Sequence, residues 1–311
     1  MVQKNIMKNI FIIITTLTTI FFFTTSCEDD ISSEVDLGTA PELVVIDAWI
    51  NNKPEPQTIT ISTSQAYFDN SGLAGLSGAE VIVLDESGRQ YVFEEIESGV
   101  YTWTPNAGET FGEIGQDYAL AVTHNGVTYG SATTMNRVPP IDSISFTPEE
   151  GDSFFEDGFI AEFWSRDPIG EGDTYWIKTW KNGEFLANPD EINVAFDAGF
   201  SQGGVVDGLI FIPPIRFAIN RFEDEDDDGV IDSPYSPGDS VFVELHSISN
   251  EAFFFLNEVR LQTDRPGGFA ELFATPLSNV PSNILASNEE TEVLGFFTVS
   301  GVSAMGRRFE E

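Results

Sequence analysis

The stretch DYALAVTHNGVTYGSATT, residues 117–134, reads as two strands folded about a turn. Its two halves are rich in β-branched and aromatic residues and alternate at period two, the pattern of a strand with one buried face. Between them Asn125-Gly126 is the preferred pair for a type I′ hairpin, because both central residues need positive φ. Working outward, ELVVIDAWI (42–50), QTITIST (57–63), EVIVLDE (80–86), QYVFEEI (90–96) and GVYTWTP (99–105) carry the same signal. Ser87-Gly88 and Ser98-Gly99 mark further reversals. Short strands at this spacing, with no helical period among them, predict an immunoglobulin-like or prealbumin-like β-sandwich over residues 41–138. Within the run SGAEVIVLDESGRQYVFEEIESGVYTW a Gly99-x-Tyr101 step opens the last strand.

Pro139 and Pro140 remove two backbone donors and stiffen the chain, so a strand cannot run through them. A second β-rich domain is expected over 139–311. Its strand candidates are DSISFTP, FIAEFWS, DTYWIKTWKNGEFL, LIFIPP, RFAINRF, DSVFVELHSI and VLGFFTVS. At least one helix is expected in it, SNEAFFFLNEVRLQT (249–263), with Ser249 as N-cap and Ala252, Phe255, Leu256 and Val259 at helical spacing.

The N-terminus has a different character. Lys4 and Lys8 precede an apolar stretch from Ile10 to Phe23, and Thr24, Thr25 and Ser26 lead to Cys27, the only cysteine of the chain. This is the layout of a cleaved export signal over residues 1–26. The apolar run falls short of the ~20 residues a spanning helix needs. A thiol at the cleavage point resembles the bacterial lipoprotein signal, with Thr24 where an aliphatic residue is usual, and implies lipid attachment at Cys27. Glu28, Asp29 and Asp30 open an acidic tether (27–40) and resemble the surface-export signal of Bacteroidetes-type lipoproteins. Together these imply an outer-membrane, lipid-anchored protein facing the cell exterior.

The formal net charge is −37, from 51 acids against 14 Lys and Arg. Such a balance repels nucleic acid and anionic headgroups and favours cations or basic partners. With 41% apolar residues the chain can fill a core.

Little points to catalysis. His124 sits beside the Asn-Gly turn, and His246 lies in the strand VFVELHSIS. There is no GxSxG elbow, HExxH pair or GKS/T phosphate loop. Carboxylate pairs of the kind a hydrolase uses can be chosen freely among 51 acids, so none is singled out. An enzyme is therefore not expected. Two binding features stand out instead. Strand alternation sends Trp176, Lys178 and Trp180 to one face, where two indoles flanking an amine suit a sugar or a peptide. Core packing is the competing reading, since Trp is highly buried on average. In the acidic loop 223–232, Asp224, Asp226 and Asp228 alternate and Gly229 supplies a sharp turn. The Val230 carbonyl then takes the seventh place and Asp232 the ninth, a pattern resembling a DxDxDGxxD calcium loop. The twelfth position, normally an acid, is Tyr235, so the site lacks a ligand unless Asp239, Glu244 or another acid completes it; strands in place of the usual flanking helices make the expectation a structural Ca²⁺ clamp, the alternative being a solvated, disordered loop.

The order of acidic tether, PELVVIDAWI, VPPIDSI, GDSVFVELHSISNEAFFFLNEVRLQ and SNVPSNILASNEETEVLGFFTVSG resembles a Bacteroidetes lipoprotein family known only as a domain of unknown function. Its members are often encoded beside TonB-dependent receptors. The resemblance implies a TonB-dependent receptor as partner and a role in nutrient uptake; the alternative is an adhesion or envelope-structural lipoprotein with no transport role.

Overall fold

The structure, a computed structural model, describes residues 41–65, 71–224, 229–288 and 290–310. Cys27, Glu28, Asp29, Asp30, Asp226 and Asp228 lie outside the described residues. The fold is mainly β, as expected, with an N-terminal β body, a second β-rich part and, among the described residues, one long helix.

The first eight strands are β1 (Val44–Asn51), β2 (Gln57–Thr63), β3 (Ala74–Gly75), β4 (Glu80–Asp85), β5 (Gln90–Glu97), β6 (Val100–Trp103), β7 (Asp117–His124) and β8 (Val127–Thr134). The β7–β8 hairpin turns at Asn125 and Gly126 with φ of 50° and 80°, as the Asn-Gly pair predicts. The Gly99-x-Tyr101 step is a packing device. Gly99 has φ of 75°, and a Cβ there would stand 2.3 Å from the Ile61 carbonyl. Tyr101 is fully buried; its hydroxyl donates to the Leu76 carbonyl (2.8 Å) and accepts from the Ala79 N–H (3.0 Å).

These strands are not a complete sheet by themselves. From far down the chain β15 (Leu285–Ala286) pairs with β8, and β16 (Val293–Ser300) pairs in parallel with β1, Val44 opposite Val293. The resulting order is β15-β8-β7-β4-β5-β6-β2-β1-β16, with β3 on β2. The sheet curls nearly closed, bringing β16 beside β8. Asn283 bridges the gap: its side-chain amide donates to the Phe297 carbonyl (2.8 Å) and accepts from the Phe297 N–H (2.9 Å). The interior joins Ile46, Ile59, Ile61, Val83, Tyr101 and Tyr118 to Phe297 and Val299 of β16.

Residues 135–140 run without regular structure through the two prolines. Beyond them β9 (Ile141–Glu149) and β10 (Gly158–Ser165) form a hairpin. β11 (Thr174–Lys181) is the hub of a second sheet, flanked on one side by β12 (Glu184–Phe185) and β13 (Asn193–Phe196). On its other side lies β14 (Ser240–Ile248), then β17 (Val302–Arg308). A second core lies between hairpin and sheet, with Phe163, Tyr175, Ile177, Phe211, Val243 and Leu245.

Helix α1 (Pro213–Arg216) is a single turn; α2 (Asn250–Thr263) is the expected helix, its Ser249 hydroxyl accepting from the Ala252 N–H at 3.1 Å. Two strand expectations fail here. LIFIPP and RFAINRF give only an isolated bridge at Ile210 and then α1, because Pro213 and Pro214 occupy its first two positions, where a missing N–H costs nothing. DTYWIKTWKNGEFL is two strands, broken at Asn182 and Gly183 with φ of 53° and 86°.

The candidate binding face and the acidic sites

The register of β11 against β14 sets Trp176 opposite His246, Lys178 opposite Glu244 and Trp180 opposite Phe242. Tyr175, Ile177 and Thr179 turn the other way and are buried. Trp176, Lys178 and Trp180 therefore share a face, but the two indoles have separate surroundings. Trp176 meets Trp49 of β1 edge-on at 5.1 Å, and the Lys178 ammonium lies 3.9 Å from its ring centre. Trp180 packs on Phe185 (5.0 Å) and Phe242 (5.6 Å), both partly exposed. Trp49 also stacks on Phe296 and neighbours Phe255 of α2. A third core, with Phe196, Ile248, Phe253 and Leu256, continues from there.

Beside Trp176 lies a charged group built around Glu244 and His246 of β14. Glu244 and His246 are each 4% exposed, with His246 Nε2 2.8 Å from one carboxylate oxygen and Lys53 Nζ 2.8 Å from the other. Lys53 also pairs with Glu55 at 2.7 Å. Burial alone would raise the Glu244 pKa, but the bonds from His246 and Lys53 outweigh it and hold the carboxyl at about 2. Burial lowers His246 to about 4 against the pull of Glu244, and Lys178 reinforces the drop. Burial likewise lowers Lys178 to about 8. Near neutral pH the imidazole is therefore uncharged and its Nε2 proton faces the carboxylate. The alternation of Glu244 and His246 along VFVELHSIS was the available signal for this pair; Lys53, 191 residues away, had none.

A second acidic group draws Asp167 from the β10–β11 connection and Asp197 and Asp207 from the connection between β13 and α1, with one oxygen of each within 4.8 Å of the others. Asp167 (1% exposed) accepts from the Tyr175 hydroxyl (2.6 Å) and the Gly208 N–H (3.0 Å). Asp197 (3% exposed) accepts from the N–H groups of Gly172 and Asp173, and Asp207 from that of Gly170. Burial raises the Asp167 pKa while its hydrogen bonds oppose the rise. Converging carboxylates of this kind have the hard-oxygen chemistry that suits Ca²⁺ or Mg²⁺. Among 51 acids, no spacing could have selected these three.

In the loop singled out for calcium, Gly229 has φ of 90° and its N–H donates to Asp224 Oδ2 at 2.8 Å. Ile231 follows in an isolated bridge to Phe155, which fixes Val230 and Asp232 on either side of it.

Residues 28–305 match the family described as Domain of unknown function (DUF4249), and the chain belongs to that family. No curated protein matches it. Among the described residues, no helix is long and apolar enough to cross a membrane.

Proposed function

We propose that the protein is an outer-membrane lipoprotein, anchored through Cys27 and displayed outward by Glu28, Asp29 and Asp30. In this role it serves a TonB-dependent receptor as an accessory or ligand-capturing partner in nutrient uptake, and its task is binding, not catalysis. The observation that carries the reading is the junction at Cys27. An export-type leader ends in small residues and a lone cysteine, three acids follow, and the DUF4249 match begins at residue 28, directly after the cysteine. The acidic loop 223–232 adds a structural Ca²⁺ to the proposal, supported by the turn at Gly229 and its bond to Asp224.

Two linked measurements test the reading. Metabolic labelling with a fatty acid is expected to mark the wild-type protein and to leave Cys27→Ala unmarked. Mild detergent extraction of the wild type is expected to bring a β-barrel receptor with it. Recovery without a barrel, from cells in which labelling succeeds, would leave the anchor standing, remove the receptor role and favour the adhesion or envelope-structural alternative.

A further inference from the structure

At the turn end of the β9–β10 hairpin the chain forms a half-open cavity of about 450 Å³. That is within the range of small-molecule sites. Its walls are aromatic: Phe155 and Phe159 from the hairpin, Phe217 and Phe222 from the segment after α1. Phe155 and Phe222 stand edge to face, with ring centres 6.2 Å apart and planes at 88°. Glu149, Glu150, Asp152, Glu156 and Asp232 also line it, and among the described residues no Lys, Arg or His does. Arg216 and Arg221, each next in sequence to a lining phenylalanine, are committed elsewhere: Arg216 pairs with Glu162 at 2.8 Å, and the Arg221 guanidinium holds Glu191 at 2.6 and 2.7 Å.

The walls are tied together before any ligand arrives. Asn220 exchanges two hydrogen bonds with the backbone of Ala161 in β10 (2.7 and 2.8 Å) and donates to the Phe217 carbonyl (2.6 Å). The other wall is fixed by Ile231 N–H on the Phe154 carbonyl (2.8 Å), Glu156 N–H on the Ile231 carbonyl (2.9 Å) and Phe159 N–H on Ser233 Oγ (2.9 Å). A preformed cavity holds a ligand without first being ordered by it.

We propose that this cavity, with its phenyl walls and its carboxylates, is a binding site for a small organic cation with an apolar body, such as a quaternary ammonium or a hydrophobic amine. Each alternative class meets an obstacle. An anion faces five carboxylates. A bare metal ion needs several oxygens at close range, and phenyl walls supply none while stripping its water. A neutral apolar molecule gains nothing from the acids. An organic cation is weakly hydrated, is attracted to phenyl faces and is compensated by the carboxylates. The proposal goes beyond the anchoring and receptor reading and does not depend on it.

The test is calorimetric titration of the purified full chain with benzyltrimethylammonium, with benzylsulfonate as an anion of similar body. A chelator in the buffer keeps divalent ions off the neighbouring acidic loop. Saturable binding of the cation and none of the anion is expected. Phe222→Leu keeps the wall apolar but removes its π face, and Phe155→Ala opens the cavity; each is expected to weaken the cation about threefold to tenfold. Both side chains are at least two-fifths exposed, 49% for Phe222 and 42% for Phe155, so neither variant threatens the fold. Glu150→Gln with Glu156→Gln is expected to weaken binding and to flatten its salt dependence. Equal binding of the anion, or an unchanged affinity in both phenylalanine variants, would overturn the proposal and leave only diffuse attraction to an acidic surface.

Discussion

The interior of the first sheet and the interior of the second part are built to opposite rules. Among the described residues of 44–134 the buried polar side chains are Gln57 and Ser62, and no buried residue there carries a charge. Beyond Pro140, Glu162, Asp167, Asp197, Glu244 and His246 are all buried. Each has been given partners: Arg216 meets Glu162 at 2.8 Å and covers the Trp164 ring at 3.9 Å, and the others are bonded as described above. Removing one member of such a pair strands a charge in a poor solvent, so these sites cost stability unless complete. The difference teaches where to look for function. An apolar curled sheet needs only to hold, whereas buried charges and aromatic cavities are the features from which binding sites are commonly built.

The comparison can be tested at the seam. Trp49 belongs to the first sheet but lies against Trp176 of the second and Phe255 of α2. Trp49→Ala is expected to cost about 3 kcal/mol, the low end for losing a large aromatic from a core, because Trp49 is only partly buried. Chemical denaturation measures it, and a loss under about 1 kcal/mol would mean the two regions do not share that core.

Acid should separate the regions next. The folded-state pKa of His246, about 4, lies below its ordinary 6.5, so the unfolded chain takes up the proton first. Its contribution to stability is therefore whole above about pH 6.5 and is lost as the pH falls toward 4, on the order of 2–3 kcal/mol. Glu244, held at about 2, continues the loss from about pH 4.5 downward. Melting temperature against pH is expected to decline in both windows for the wild type. In His246→Gln the upper window should be flat; a slope equal to wild type would show that the histidine is not the sensitive group.

The smallest expected effect concerns calcium. At ten times a millimolar Kd, binding stabilises by about 1.4 kcal/mol, or roughly 3–5 °C for a chain of this size. The wild type is expected to show this rise. Asp226→Ala with Asp228→Ala should lose it while Asp207→Asn keeps it. The reverse pattern would move the ion from the 223–232 loop to the buried Asp167–Asp197–Asp207 group.

Much of the fold was legible where signals are local. QTITIST coincides with β2, Asn125-Gly126 makes the turn it specifies, Ser249 caps its helix, and period two divides Trp176, Lys178 and Trp180 from Tyr175 and Ile177. What escaped depends on residues distant in sequence or on backbone geometry. Nothing near Val44 announces that its partner is Val293. A hint existed in Gly295, a glycine inside a strand, which often marks a close approach: its φ is 109°, and a Cβ there would run into the Ile46 carbonyl. The apolar run at 209–222 carries no period that separates strand from turn, and the double proline that decides it was read as a strand's end. The charged group at Glu244 and the aromatic cavity are assembled from segments tens of residues apart or more, so composition could predict only that cations would be welcome.

The parallel pairing of β1 with β16 also sets a clock. On a ribosome adding about 5–20 residues per second, β2 leads β16 by roughly 12–50 s, longer than a hairpin needs to form by many orders of magnitude. During that wait β1 presents an unpaired edge, Val44 to Asn51, of the kind that invites neighbours to add strands. Until β16 is made the first sheet cannot be finished, and that edge stays open to strands of other chains.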